Sequence, residues 1–180
     1  MPFFFTQRAA HVVADFCELD LGRTFDAVLL HDAVMYLTTP ELLDAALRVM
    51  RRHVAPGGSV LVVPDVLEGG FEELSICGGG THEDGRSAQL MEWHRDPDPT
   101  DGRYTVDFAA ILCSREGRTS CVHEQHEHAL HSADALVRGL RRQGFEMVDV
   151  TAGPYTSQIP FAFLARRPAD PEEGFSQTPA

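Results

Sequence analysis

Residues Phe25 to Pro64, FDAVLLHDAVMYLTTPELLDAALRVMRRHVAPGGSVLVVP, constrain this chain more than any other stretch, because they spell strand, loop, helix, turn, strand. Phe25-Asp26-Ala27-Val28-Leu29-Leu30 is a short, nearly continuous apolar run, the pattern of a strand buried on both faces of a parallel sheet. Thr39 is suited to cap a helix, with Pro40 at the first helical position and Glu41 in the positive first turn. Leu42, Leu43, Ala46, Leu47 and Met50 then form one apolar stripe, and Arg48, Arg51, Arg52 and His53 crowd the last turn, where cations suit the helix dipole. Pro56-Gly57-Gly58 is expected to stop this helix before an apolar, β-branched run from Ser59 to Pro64. A strand, a crossover helix and a parallel strand form a right-handed unit.

The FDAVLLHDAVMYL segment, the helix after it and the PGGSVLVV strand together resemble the second half of the Rossmann-like core of class I S-adenosylmethionine (SAM)-dependent methyltransferases. The resemblance implies that the loop His31-Asp32-Ala33-Val34-Met35-Tyr36-Leu37 borders the methionyl end of SAM. It also implies that His31, Asp32 and Tyr36 belong to the cofactor site. A bare PGG turn after a helix carries little by itself, since Gly and Pro end helices in many folds. The alternative is some other doubly wound α/β domain.

Composition narrows the partners. A chain of 180 residues is long enough for one domain with a real core, and its hydrophobic share of 43% is that of a globular protein. No apolar run approaches the roughly 20 residues of a membrane span, and Met1-Pro2-Phe3-Phe4-Phe5 lacks the basic flank of a secretory signal. Cys17, Cys77, Cys113 and Cys121 show no CxxC spacing, which fits a reducing, cytoplasmic setting. All fifteen basic residues are arginine, and the formal net charge is −12. Such a balance repels phosphate backbones and membrane surfaces, so a small-molecule acceptor is expected, with no nucleic acid and no membrane as partner.

Before Phe25, His11-Val12-Val13-Ala14 is expected to be a strand, followed by Asp15-Phe16. In the resembled family an acidic residue at the end of the third strand receives the adenine amino group and its neighbour lies beside the ring. The resemblance therefore places Asp15 and Phe16 in the cofactor site. A carboxylate there can accept from an exocyclic amine; the alternative is a surface Asp ending an ordinary strand. The family's glycine-rich turn should precede Asp15, yet no GxGxG occurs before Phe25. Gly78-Gly79-Gly80 lies after the wrong strand and is expected to be a flexible loop. The chain thus resembles an N-terminally truncated methyltransferase. In the family the first two strands lie between the third and the fourth. Either Ala10–Ala14 pairs directly with Phe25–Leu30, or that strand is left as an open apolar edge that favours homo-oligomers.

From Asp65 to Asp101 breakers dominate, and a long excursion with one short strand at Gln89–Trp93 is expected. Insertions here shape the acceptor pocket in the resembled family, with Trp93 and His94 as a wall and a polar handle; a surface-packed Trp is the alternative. Arg103–Ser114 and Thr119–His128 form a hairpin around Glu116-Gly117-Arg118. On its second strand Glu124, His126 and His128 share one face and His123, Gln125 and Glu127 the other. The spacing H-x-x-H-x-H lacks a fourth ligand at motif distance, so no metal is expected. The segment resembles a strand of sugar N-methyltransferases on which a histidine faces the acceptor, which points to His126; a solvated polar face is the alternative.

Ser132 should cap a helix through Gln143, followed by strands at Phe145–Val150 and Ile159–Arg166 and a disordered acidic tail over 168–180. The expected fold is α/β: an incomplete Rossmann-like, mostly parallel sheet with crossover helices and an inserted antiparallel hairpin. Residues 1–167 make one partial methyltransferase domain, with core 10–66 and 129–167 and insertion 67–128. The expected function is methyl transfer from SAM to a nitrogen or oxygen of a small molecule, with His126 or His31 as catalytic base. The alternative is a non-catalytic fragment or interaction partner that keeps half of the scaffold.

Overall fold

The computed structural model describes residues 9–151 and 161–170. Its elements are β1 (Phe25–His31), a 3-10 turn (Val34–Tyr36), α1 (Pro40–His53), β2 (Val54–Val63), β3 (Leu74–Thr81), β4 (Ser87–Arg95), β5 (Arg103–Cys113), β6 (Thr119–Ala129), α2 (Ala133–Arg142), β7 (Glu146–Thr151) and β8 (Ala162–Arg166). They make two four-stranded sheets, ordered β1-β2-β8-β7 and β3-β4-β5-β6.

In the first sheet β1 pairs in parallel with β2, Val28 opposite Val60 and Leu30 opposite Val62. β8 is antiparallel to both β2 and β7. Thus β1, β2 and β7 run the same way and β8 alone is reversed between them. The expectation of a mostly parallel sheet is corrected: only one of the three pairings here is parallel, and the second sheet is antiparallel throughout. The reason lies in the connections. Of the strands that pair with each other, only β1 and β2 are joined through a helix, which a parallel pair needs, whereas short turns link the successive strands from β3 to β6 and permit only antiparallel neighbours.

Thr39 caps α1 by accepting the Leu42 N–H at 3.2 Å, and Ser132 caps α2 by accepting that of Ala135 at 3.2 Å. The α1 stripe Leu43, Ala46, Leu47 and Met50 is buried with Leu136 and Leu140 of α2 against Val60 and Val62 of β2 and Phe163 and Ala165 of β8. The helices approach closely at Gly139, where a Cβ would lie 2.7 Å from Leu47 Cδ1. α1 ends at His53, ahead of Pro56-Gly57-Gly58, and those three residues sit inside β2 as a bulge, between the pairs Phe25–Val54 and Ala27–Ser59. Only glycine fits at 58, because a Cβ would meet the Asp26 carbonyl oxygen at 2.7 Å.

The stretch 65–101 is more regular than expected. Leu74–Thr81, including Gly78-Gly79-Gly80, is a strand, because each glycine pairs in register with β4, Gly78 opposite Leu90 and Gly80 opposite Ala88. Pairing supplies what glycine's own propensity withholds. The strand expected at His11–Ala14 does not form. Val12 and Val13 are exposed, and among the described residues no strand pairs with the outer side of β1, so β-branched content had no partner to order it. The loop that follows is tied to α1 instead: the buried His53 accepts the Leu21 N–H at 2.8 Å and donates to the Val49 carbonyl at 2.8 Å. The tail expected to be disordered lies outside the described residues from 171 onward. No helix among the described residues is long and apolar enough to cross a membrane.

Candidate functional site

Ligands of open α/β sheets lie beyond the carboxyl ends of the parallel strands, and here those ends are His31-Asp32 after β1 and Asp65 after β2. Asp32 takes a left-handed backbone, φ +52°, which Asp tolerates better than most residues. Its N–H reaches the Val63 carbonyl at 3.4 Å, and its Oδ2 lies 3.0 Å from His31 Nδ1. The Asp32 carboxyl lies beside that of Asp65. Asp65 is pushed up to about 7, by partial desolvation first, then by Asp32 and Glu92.

The 3-10 turn is fixed from behind by His131, whose Nε2–H donates to the Val34 carbonyl at 3.1 Å; burial lowers the pKa of this ring, so it is neutral at pH 7. From that turn Tyr36 reaches β6, its hydroxyl 2.7 Å from His126 Nδ1. On the other side of the ring Nε2 lies 3.3 Å from Glu124 Oε2. An ionised carboxylate only accepts, so Nε2 carries the proton, Nδ1 accepts, and the Tyr36 hydroxyl donates. Burial, then Asp65 and Glu124, raise the Tyr36 pKa and keep that hydroxyl protonated.

The two-residue period of the second sheet brings the remaining groups to the same face. Cross-strand pairing sets Val106 opposite His126 and Tyr104 opposite His128. His128 lies edge-on to Tyr36, ring centres 4.4 Å apart, and to Tyr104 at 5.0 Å, while His94 stacks on Tyr104 at 6.0 Å and meets Glu92 at 3.3 Å. Asp32, Asp65, Glu92 and Glu124 make the surroundings acidic, suited to an acceptor that donates protons or carries positive charge.

The structure therefore brings together Tyr36 with His126 and His31 with Asp32. Asp15 and Phe16 stand apart. Asp15 Oδ1 accepts the Cys17 N–H at 2.7 Å, closing a turn, and the Cys17 thiol reaches the Leu42 carbonyl at 3.7 Å beside the first turn of α1. Phe16 lines an apolar hollow of about 250 Å³ with Phe25, Val28, Met50 and His53. No hydrogen bond among the described residues links either one to His31, Asp32 or Tyr36. Trp93 points away from His94, onto the opposite face of β4, under the Arg95 guanidinium at 4.4 Å. His123 likewise turns to the far face, 2.8 Å from Asp107, so the three histidines of β6 do not converge. Among the described residues no cluster of three or more His, Cys, Asp or Glu side chains could hold a metal.

Asp65, Glu124, Tyr104 and His128 are the members that the sequence did not single out for a role. For Asp65 the signal existed: it follows one parallel strand as Asp32 follows the other.

The raised pKa of Asp65 has a measurable consequence. Held near 7 against an ordinary 3.8, Asp65 keeps a proton in the folded chain that the unfolded chain has lost, so this contribution to stability is fully present below about pH 4 and disappears as pH rises through 7. Thermal midpoints taken from pH 5 to 8 should fall more for the parent than for Asp65→Asn. Parallel curves would mean that Asp65 does not hold the proton.

No family model and no curated protein matches the sequence. Solved structures do. DesVI of Streptomyces venezuelae superposes with a TM-score of 0.74 at 21% identity, over 87% of this chain and 64% of that one. The sugar N-methyltransferase KedS8 of Streptoalloteichus sp gives 0.74 at 22% identity over 86% and 61%. CalS10, an amino pentose methyltransferase of Micromonospora echinaspora solved with SAM bound, gives 0.69 at 22% identity over 86% and 63%. The chain thus spans 61–64% of the length of these relatives. Over most of its own length it has the fold of SAM-dependent methyltransferases.

Proposed function

We propose that this protein transfers the methyl group of SAM to a nitrogen or oxygen of a small-molecule acceptor. The observation that carries this reading is the Tyr36–His126–Glu124 chain of hydrogen bonds beside the carboxyl ends of β1 and β2, in a chain with a methyltransferase fold. SAM, when bound, supplies a methyl carbon on a positively charged sulfur that leaves as a neutral thioether. The residues present fit the two ends of that molecule. Asp15 has Oδ2 free of protein partners among the described residues and can accept from the adenine amine with Phe16 alongside, while His31, Asp32 and Tyr36 border the methionyl end. The chain's own contribution is alignment and proton removal. The acceptor gives its proton to the Tyr36 oxygen as the Tyr36 proton moves to His126 Nδ1, and Glu124 holds the resulting imidazolium. His31, paired with Asp32, is the other candidate base, and residues 67–128 are the insertion that shapes the acceptor side.

A second reading, a non-catalytic interaction partner, is favoured by the outer side of β1, with which no strand pairs among the described residues, and by exposed Leu90, Met91, Ile111 and Val122 in the second sheet. Calorimetry with S-adenosylhomocysteine (SAH) separates the two. Methyl transfer predicts saturable binding that Asp15→Ala weakens by about 1–3 kcal/mol. Absence of binding favours the interaction partner, and equal binding by the variant removes Asp15 from the site.

A further inference from the structure

On the face of the second sheet that Tyr36 reaches, β5 lies between two matching pairs of side chains. Glu92 of β4 and Glu124 of β6 stand directly opposite Phe108, one on each side, and His94 and His126 stand directly opposite Val106 in the next row. In each pair the ring Nε2 lies 3.3 Å from a carboxylate oxygen, His94 on Glu92 and His126 on Glu124. The relay takes one pair, through the bond from Tyr36 to His126, and leaves the other without a role. That second pair is open to solvent: the Glu92 and His94 side chains are 26% and 20% exposed, and Phe108 beside them is only half-buried. Neighbouring strands are about 4.8 Å apart, so the carboxylates of β4 and β6 are roughly 10 Å apart across the Phe108 ring.

We propose that the acceptor is a linear aliphatic diamine, with one nitrogen at the Tyr36 hydroxyl and the second held as an ammonium group by the Glu92 carboxylate. Glu92 keeps free acceptor positions beside its contact with His94, and a charge-assisted bond to an ammonium is among the stronger hydrogen bonds. The Phe108 ring between the two ends gives a methylene chain an apolar surface and gives a cation its face. The distance between the flanking strands, with a hydrogen bond allowed at each end, suits a chain of about three or four methylenes. A formal net charge of −12 draws dications to the molecule as a whole. Such an acceptor differs in class from the amino pentose named for CalS10. The assignment rests on the methyl-transfer reading above, and its methylation step is the one given there.

Calorimetry on the full chain with SAH present tests it, comparing 1,4-diaminobutane with pentylamine, in which a methyl group replaces the second ammonium. The parent should bind the diamine about 10-fold more tightly, the worth of one hydrogen bond to a charged group. Glu92→Gln, the same size without the charge, should lose most of that preference, and Glu92→Asp should keep part of it. Asp44→Asn removes a carboxylate from the outside of α1, where it pairs with Arg142, and controls for net charge; it should leave the preference intact. SAH affinity equal to the parent's shows that each variant is folded. Equal affinity for the two amines, a preference that survives in Glu92→Gln, an equal loss in Asp44→Asn, or no binding of either amine while SAH binds would overturn the assignment and leave methyl transfer standing. Failure of SAH itself to bind the parent would remove the methyl-transfer reading, and this assignment with it.

Discussion

His126→Ala is expected to lower methyl-transfer turnover about 10²-fold, the usual worth of a positioned proton acceptor. In the proposed relay Tyr36 and His126 act as one unit, since the hydroxyl would take the acceptor's proton only if its own moves to Nδ1. Tyr36→Phe should therefore cost about as much as His126→Ala, and the double variant little more than either alone. Steady-state rates with a fixed amine probe from pH 6 to 9 check this. Rates of His126→Ala that match the parent across that range would take His126 out of the site, and additive losses would break the relay into two independent contacts.

The second large effect concerns the core. Phe163 is fully buried in β8, paired with Val62 of β2 on one side and Val150 of β7 on the other. Phe163→Ala removes the side chain that meets the α1 and α2 stripes and leaves a cavity, at a cost of about 3–5 kcal/mol. Total stabilities run to only about 5–15 kcal/mol, so this one change should bring the chain close to unfolding at room temperature. Urea titration checks it through the midpoint, with the slope unchanged. A loss under about 1 kcal/mol would mean that β8 is not the centre of the core.

What could be read from the sequence divides along the range of the forces involved. The β1–α1–β2 unit was legible because its signals are local: Thr39 and Pro40 start the helix and the stripe through Leu43, Leu47 and Met50 fixes its buried face. The β5–β6 hairpin and the faces of its alternating residues were legible for the same reason. Gly78-Gly79-Gly80 was not, because nothing local favours a strand there and the order comes from Leu90, Gln89 and Ala88 across the ladder. His11–Ala14 failed in the opposite sense, with strand-forming residues but no neighbour to pair with. In the site Tyr36 and His126 were each visible, but their 2.7 Å contact joins elements 90 positions apart and needs the fold to exist first. Asp65 looked like the start of a loop, and its partial desolvation in the fold, with Asp32 beside it, turns it into a titrating group near neutrality. His128 looked like one more polar residue on a solvated strand; its burial against Tyr104 and Tyr36 is tertiary.

The reversed strand between β2 and β7 also sets the order in which the molecule can be made. On the ribosome, β2 emerges with β1 as its sole partner, and its other edge stays bare until Ala162–Arg166 arrives. At roughly 5–20 residues per second that wait is on the order of 5–20 s, ample time for the meander β3–β6 to zip up from contacts between successive strands. The nascent chain thus carries a finished hairpin sheet beside a half-built one whose apolar edge, Val60 to Val62, faces solvent or a chaperone. Slowing translation anywhere between Pro64 and Ala162 would lengthen that exposure and raise the share of chains lost to aggregation, whereas slowing it before Val54 would not.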